Sequence, residues 1–245
     1  MFREFLIALQ FLTIFSIRKT LPFDEVGFGR SAAFFPLVGG MIGGLVWSLD
    51  LILLLVCPPA IRSVLLTAAL AIFSRGLHLG GLADSADGFF GGHDRQHCLD
   101  IMKDSRIGTF GVLALTGVLL LKVRALDLLG GEARIHALLL APVLSRWSHV
   151  ALAFRSCPAR DEGLGTLLVR HVHWREVLWA STSALVATLL LTGSTGVLLF
   201  VVIVGITRAL MYAYHQRLGG VTGDTFGATG ELVETFVWCW WVYWV

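Results

Sequence analysis

Residues 32–56 run almost unbroken through apolar side chains, and similar stretches recur at 61–77, 107–129, 135–154, 177–192 and 197–214. That recurrence constrains the fold more than any single motif. About 20 apolar residues in a helix are enough to cross the ~30 Å hydrocarbon core of a bilayer. In lipid every backbone polar group must be bonded internally, so successive segments of this kind become a helical bundle. Composition agrees: 56% of residues are hydrophobic, 15% are charged, and the mean hydropathy is +0.78. The expected fold is all-α, a polytopic integral membrane bundle of about seven to eight transmembrane helices. Residues 1–245 form a single membrane-embedded domain in this reading. The number includes a short first segment at 4–17, either a span or an interfacial helix. It also includes a last segment ending in Trp238, Trp240, Trp241, Tyr243 and Trp244, which suits an aromatic belt.

Details along the chain refine the bundle. Gly39-Gly40 and Gly43-Gly44 lie inside the second apolar segment, where small residues let another helix approach. Pro58-Pro59 ends that segment and Gly130-Gly131 turns the chain. The N-terminal Met1-Phe-Arg-Glu-Phe lacks a small-residue cleavage site, so the first helix is expected to be retained. Lys122, Arg124 and Asp127 are expected to snorkel to the interface. Arg146 lies well inside an apolar segment and should face the bundle interior with an anionic partner. The formal net charge of +2 offers no basic field for nucleic acid. The four cysteines are scattered, with no C-x-x-C pair to hold a metal or a redox disulfide. The loops near 18–30, 78–106, 155–175 and 215–224 hold most of the Lys and Arg outside the spans, whereas the opposite loops hold only Arg62 and Arg134. The positive-inside rule then places the polar loops in the cytoplasm.

The chemistry concentrates in residues 76–111. Asp84 and Asp87 are three apart and share a helix face, and Asp100 and Asp104 are four apart and would share a face of the next helix. Two carboxylate pairs facing each other call for a cation between them, and oxygen ligands favour Mg²⁺, with Mn²⁺ or Ca²⁺ as alternatives. Lys103, Arg106 and Arg146 suit the phosphates of a substrate that completes the coordination. His78 is a candidate ligand or proton carrier. The candidate metal ligands are thus Asp84, Asp87, Asp100 and Asp104, with Asp84, Asp87, Asp104 and His78 as catalytic candidates. A second glycine-rich stretch, Leu218 to Glu231, adds Thr222 and Asp224 as substrate-binding candidates. Asp224 there would equally serve as a helix N-cap, and Glu231 could pair inside the bundle.

Several runs carry a family resemblance. They are His78-Leu79, Gly81-Leu82-Ala83-Asp84-x-x-Asp87-Gly88, Met102-Lys-Asp-Ser-Arg-Ile-Gly-Thr109, Gly219-Gly-x-Thr-Gly-Asp224 and Glu231-x-x-Glu234. With Leu9–Thr13, Phe35–Gly39, Ser145-Arg146 and Glu162–Gly165, the chain resembles the cobalamin synthase family, the adenosylcobinamide-GDP ribazoletransferases. The resemblance implies a Mg²⁺-dependent, multi-pass enzyme of the cytoplasmic (inner) membrane with its site facing the cytoplasm. Its partners would be adenosylcobinamide-GDP, α-ribazole or its 5′-phosphate, and the lipid bilayer. The oligomeric state stays open. The reaction implied is attack of a ribazole hydroxyl on the phosphate next to the cobinamide aminopropanol, releasing GMP and forming adenosylcobalamin or its 5′-phosphate.

Two departures stand out. The family pattern reads His-Leu-Asp-Gly-Leu-Ala-Asp, and this chain has Gly80 at the first Asp; Asp100 stands where Glu is common. Two rival readings also remain. A CDP-alcohol phosphotransferase would place aspartate pairs similarly, but its Asp-Gly-x-x-Ala-Arg continuation is absent, because Gly88 is followed by Phe89-Phe90-Gly91-Gly92. A cation-coupled transporter would be expected to show matching halves with broken helices, and residues 219–234 do not match the acidic stretch.

Overall fold

The structure, a computed structural model, describes residues 1–15 and 24–244. It is all-helical, and among the described residues the only β-type pairing is an isolated bridge between Pro158 and Val221. In order, the helices are α1 (Phe2–Leu12), α2 (Glu25–Ser31), α3 (Phe35–Leu53), α4 (Pro59–Phe73), α5 (Leu77–Gly91) and α6 (Arg95–Ile101). They continue with α7 (Thr109–Leu128), α8 (Gly131–Ala153), α9 (Leu164–His171), α10 (Trp174–Leu218) and α11 (Gly223–Val242). The expected loop at 18–25 lies, for residues 18–23, outside the described residues.

The all-α reading holds, and the spans sort by length. Four stretches are long and apolar enough to cross a membrane: Glu25–Leu53, α7, α8 and α10. The pair α4 and α5, bent by 89°, makes a fifth if taken as one broken span. α1, with 11 residues, is only about 16 Å long at about 1.5 Å per residue. α10 has 45 residues but breaks at Gly193, whose φ of 59° and ψ of −137° are not helical. The break is a reversal. Trp147 donates its indole N–H to Ser181 at 3.0 Å and packs against Phe200, ring centroids 4.7 Å apart. On a straight helix those two residues would be roughly 28 Å apart at about 1.5 Å per residue, so α10 folds back on itself. Its two arms match the segments expected at 177–192 and 197–214.

α8 is the axis of the bundle, with almost every residue from Ala137 to Ala153 buried. α3 lies directly on it. A Cβ at Gly39 would fall 2.3 Å from the Pro142 carbonyl oxygen, and one at Gly43 would fall 2.8 Å from that of Leu139. Gly40 and Gly44, by contrast, have room, so one member of each glycine pair makes the contact expected of small residues.

The two ends of the bundle are tied differently. At one end Asp50 of α3 accepts from Arg134 of α8 at 2.8 and 2.9 Å and faces Arg62 of α4 at 3.2 Å. Arg62 and Arg134 are thus the cations of the sparsely charged loops, gathered on one carboxylate. At the other end Arg95 donates to the carbonyls of Leu218 and Ala159, and Arg217 donates to those of Phe89 and Gly92. These contacts bring the loops near 90, 158 and 218 together, as the charge grouping of the loops requires.

Candidate active site

Glycines let three elements converge at that second end. Gly76, with φ 66°, turns the chain from α4 into α5. A Cβ at Gly81 of α5 would fall 2.6 Å from the Asp224 carbonyl oxygen of α11, and one at Gly227 would fall 3.0 Å from His78 Cα. A Cβ at Gly165 of α9 would fall 2.6 Å from the Gly223 nitrogen. The two glycine-rich stretches of the sequence are therefore the two faces of one contact. Thr222 caps α11 by accepting from the Thr225 N–H at 3.2 Å, which fixes Asp224 in the first turn.

This convergence sets Asp84 within electrostatic reach of Asp224, Asp87 and Arg160. Arg160, from the loop before α9, pairs with Asp224 at 3.1 Å. Its Nε and Nη2 are buried with no hydrogen-bond partner among the described residues. A cavity of about 280 Å³ opens beside them, walled by Leu164, Leu168 and Phe226 and by His78, His149 and Asp224. The two imidazoles meet edge to face, centroids 4.9 Å apart. His78 Nδ1 and His149 Nε2 have no hydrogen-bond partner among the described residues.

The other candidates lie elsewhere, and each has a physical reason. Asp87 is a helix cap. It accepts from the Gly108 N–H at 2.7 Å and from the Gly111 N–H at 2.8 Å, at the start of α7. A Cβ at either glycine would fall 2.4 Å from the Asp87 carboxylate, which accounts for both glycines of the Ile-Gly-Thr-Phe-Gly run. Asp100 and Asp104 do not share a helix face, because α6 ends at Ile101. Asp100 accepts from Gln96 at 2.9 Å. Asp104 is held by Arg106, with contacts of 2.6 and 3.1 Å, and that pairing pulls its carboxyl down to about 2. Arg106 is thereby committed to Asp104 and lies out in solvent. Lys103 is exposed and lines a separate polar basin. The four aspartates expected to share a metal are not gathered: no group of three or more His, Cys, Asp or Glu among the described residues is placed to hold one.

Arg146 faces the interior as expected, and its anionic partner is Glu234. It is fully buried and does not itself line the cavity, but it lies in the field of His78 and His149, and its Nε and Nη2 have no hydrogen-bond partner among the described residues. Lys122 is corrected. It is 3% exposed, not snorkelled, and it donates to Glu231 at 2.5 Å and to Glu234 at 2.8 Å. Glu231 thus pairs inside the bundle. Arg124 and Asp127 do reach the surface side and pair with each other at 2.9 Å. Sequence reasoning missed Arg160 and His149 as site residues. Arg160 is one of several charges in a polar loop, and only its meeting with Asp224 distinguishes it. His149 follows Arg146 by three residues on α8, a spacing that signals a shared face.

Residues 4–242 match the family described as cobalamin-5-phosphate synthase. A relative from Pseudomonas fluorescens is 44% identical over 241 residues, covering 95% of this chain and 96% of its own length. One from Syntrophobacter fumaroxidans is 40% identical, covering 97% of each chain. One from Clostridium tetani is 35% identical, covering 95% of this chain and 93% of its own. All three are called adenosylcobinamide-GDP ribazoletransferase. No solved structure matches. A match that runs through α1 to α11 and takes in every element of the site leaves one conclusion: the chain belongs to the cobalamin-5-phosphate synthase family.

Proposed function

We propose that the protein joins α-ribazole, or its 5′-phosphate, to adenosylcobinamide-GDP and releases GMP, the activity by which its relatives are named. The observation that carries the reading is the Arg160–Asp224 pair beside a cavity walled by apolar groups and histidines, with Asp84 in electrostatic reach of both. In the reaction a ribazole hydroxyl oxygen forms a bond to the phosphorus next to the cobinamide aminopropanol. The diphosphate P–O bond to GMP breaks, and the hydroxyl proton passes to a base. A base role for His78 is supported by its place in the cavity wall and by an Nδ1 without a partner among the described residues. The free Nε and Nη2 of Arg160 suit the diphosphate oxygens.

Mg²⁺ belongs to this proposal. Asp84 and Asp224, two carboxylates in each other's field, are fewer ligands than a protein-only metal site needs, so an ion held by them would take its remaining ligands from substrate phosphate oxygens and water. Bound there, the ion would neutralise diphosphate oxygens. Gly80 lies one turn before Asp84, and a Cβ at Gly80 meets nothing within 4 Å among the described residues. The backbone at Gly80 would therefore accept a side chain's Cβ without a clash. The enzyme would sit in the cytoplasmic (inner) membrane, with the tied polar loops and the site on the cytoplasmic side.

The test is turnover of the purified protein in liposomes with adenosylcobinamide-GDP and α-ribazole, with and without Mg²⁺. Equimolar cobalamin and GMP, dependent on Mg²⁺, are expected, and Gly80→Asp should tighten the Mg²⁺ dependence or raise the rate. Silence from both the wild type and Gly80→Asp would overturn the reading.

A further inference from the structure

Arg160 and Glu162 stand on the wall between two pockets of opposite character. On one side is the cavity of about 280 Å³, with Leu164, Leu168 and Phe226 offering apolar surface and the His78–His149 pair offering ring faces. On the other is an open basin of about 670 Å³ carrying Arg95, Lys103 and Arg160, with Gln96, Asp161 and Glu162 beside them. Arg95 is the most constrained of these cations, its Nε and Nη2 tied to backbone carbonyls. Lys103 is exposed and makes no ion pair among the described residues. Arg160 uses Nη1 on Asp224 and keeps Nε and Nη2 buried and unpartnered among the described residues, between the two pockets.

We propose that the basin holds the guanylate half of the nucleoside-diphosphate substrate, and that the cavity on the other side of Arg160 holds the aromatic base of the acceptor. The inference rests on the proposed transferase reading. The assignment follows from chemistry. A phosphorylated, sugar-bearing group needs cations and open, hydrated space, which the basin supplies. Its carboxylates suit the N–H edge of a guanine, not its phosphates. A flat, uncharged aromatic base gains most from a small apolar cavity with ring faces to pack on, which the basin does not offer. The reacting phosphate then lies at Arg160, which lines both pockets and has two donors without a partner among the described residues. GMP would leave through the basin without crossing the acceptor.

Two exposed residues separate the sides without touching the core: Lys103 in the basin and Leu164 at the cavity. Binding of GMP and of α-ribazole to the full-length protein in detergent is measured for the wild type, Lys103→Ala and Leu164→Trp. Lys103→Ala should weaken GMP about tenfold and leave α-ribazole within about twofold. Leu164→Trp should do the reverse by filling the cavity mouth. The same split should appear in KM for the two substrates. Wild-type binding of both ligands with equal or exchanged sensitivity to the two variants would overturn the assignment while leaving the transferase reading intact. A wild type that binds neither would overturn both.

Discussion

Helix α11 carries two sets of carboxylates about two turns apart, and the fold treats them in opposite ways. Glu231 and Glu234 are buried against Lys122 and Arg146, two negative charges against two positive, with every pair between 4% exposed and fully buried. Asp224, in the first turn, lies in the field of Asp84 and pairs, among the described residues, with one cation, Arg160, beside an open cavity. The interior set is balanced and closed. The rim set has negative charge in excess and space beside it. A balanced buried cluster holds helices α7, α8 and α11 in one arrangement, since any single loss strands a charge. An unbalanced, accessible one invites a cation or a cationic transition state. The same residue type thus reads as scaffold or as chemistry according to how its charge is matched.

Breaking the interior set should have the largest effect. Glu234→Ala leaves Lys122 and Arg146 facing only Glu231, and loss of one partner from a buried pair costs about 3–5 kcal/mol. The expected outcome is a marked fall in the melting temperature of the detergent-solubilised protein, followed by circular dichroism. Asp224→Asn on the same helix should melt close to the wild type. Equal melting of the two variants would erase the contrast.

The rim set is tested through activity. Asp84→Asn keeps shape and removes charge, so turnover should fall by at least about 100-fold with little change in melting. Asp84 forms no ion pair among the described residues, so little of the fold's stability is expected to rest on its charge. A variant that loses stability and activity in parallel would move Asp84 from the rim chemistry to the scaffold.

How far the sequence shows this difference depends on the distance between partners. The all-α membrane bundle was legible from the apolar segments, and the joining of the two glycine-rich stretches from their shared side. The break of α10 at Gly193 was legible as the gap between two segments. The pairing of Lys122 was not, because its partners lie 109 and 112 residues away and a lysine near a span's end reads equally well as snorkelling. Asp84 and Asp87 look alike at a spacing of three, yet the partners that separate them, the Gly108 and Gly111 N–H groups, come 21 and 24 residues later. The spacing of Asp100 and Asp104 misleads because it assumes a helix that stops at Ile101. Ligand-type spacing therefore pointed to the stretch that meets α11 and grouped carboxylates that the fold keeps apart.

Asp87 sharpens the comparison from a middle position, since it lies beside the rim but acts as scaffold. Asp87→Ala strips one buried and one half-buried N–H group of their acceptor at the start of α7, a loss of about 1–3 kcal/mol. Gly111→Ala should cost a similar amount, because its Cβ would meet the Asp87 carboxylate at 2.4 Å. The double variant should be clearly less destabilised than the sum, as expected for two changes at one contact. Strict additivity in thermal melts would show that the glycine and the carboxylate act independently.

Asp104 should have the smallest effect, and it separates a pair that merely exists from one that matters. Its carboxyl is held at about 2 by Arg106, below the ordinary value of 3.8. A lowered folded-state value means that whatever the pair contributes is complete above pH 3.8, fades as pH falls toward 2, and does not vary near neutrality. Arg106 is 87% exposed, so solvent and salt screen the pair. Asp104→Asn should accordingly leave the melting temperature unchanged from pH 5 to 8 and leave turnover near that of the wild type. A large loss of Mg²⁺-dependent turnover in Asp104→Asn, with melting intact, would return this carboxylate to the site. It would also mean that the loop after α6 moves onto the rim when substrate binds, since α6 ends three residues before Asp104.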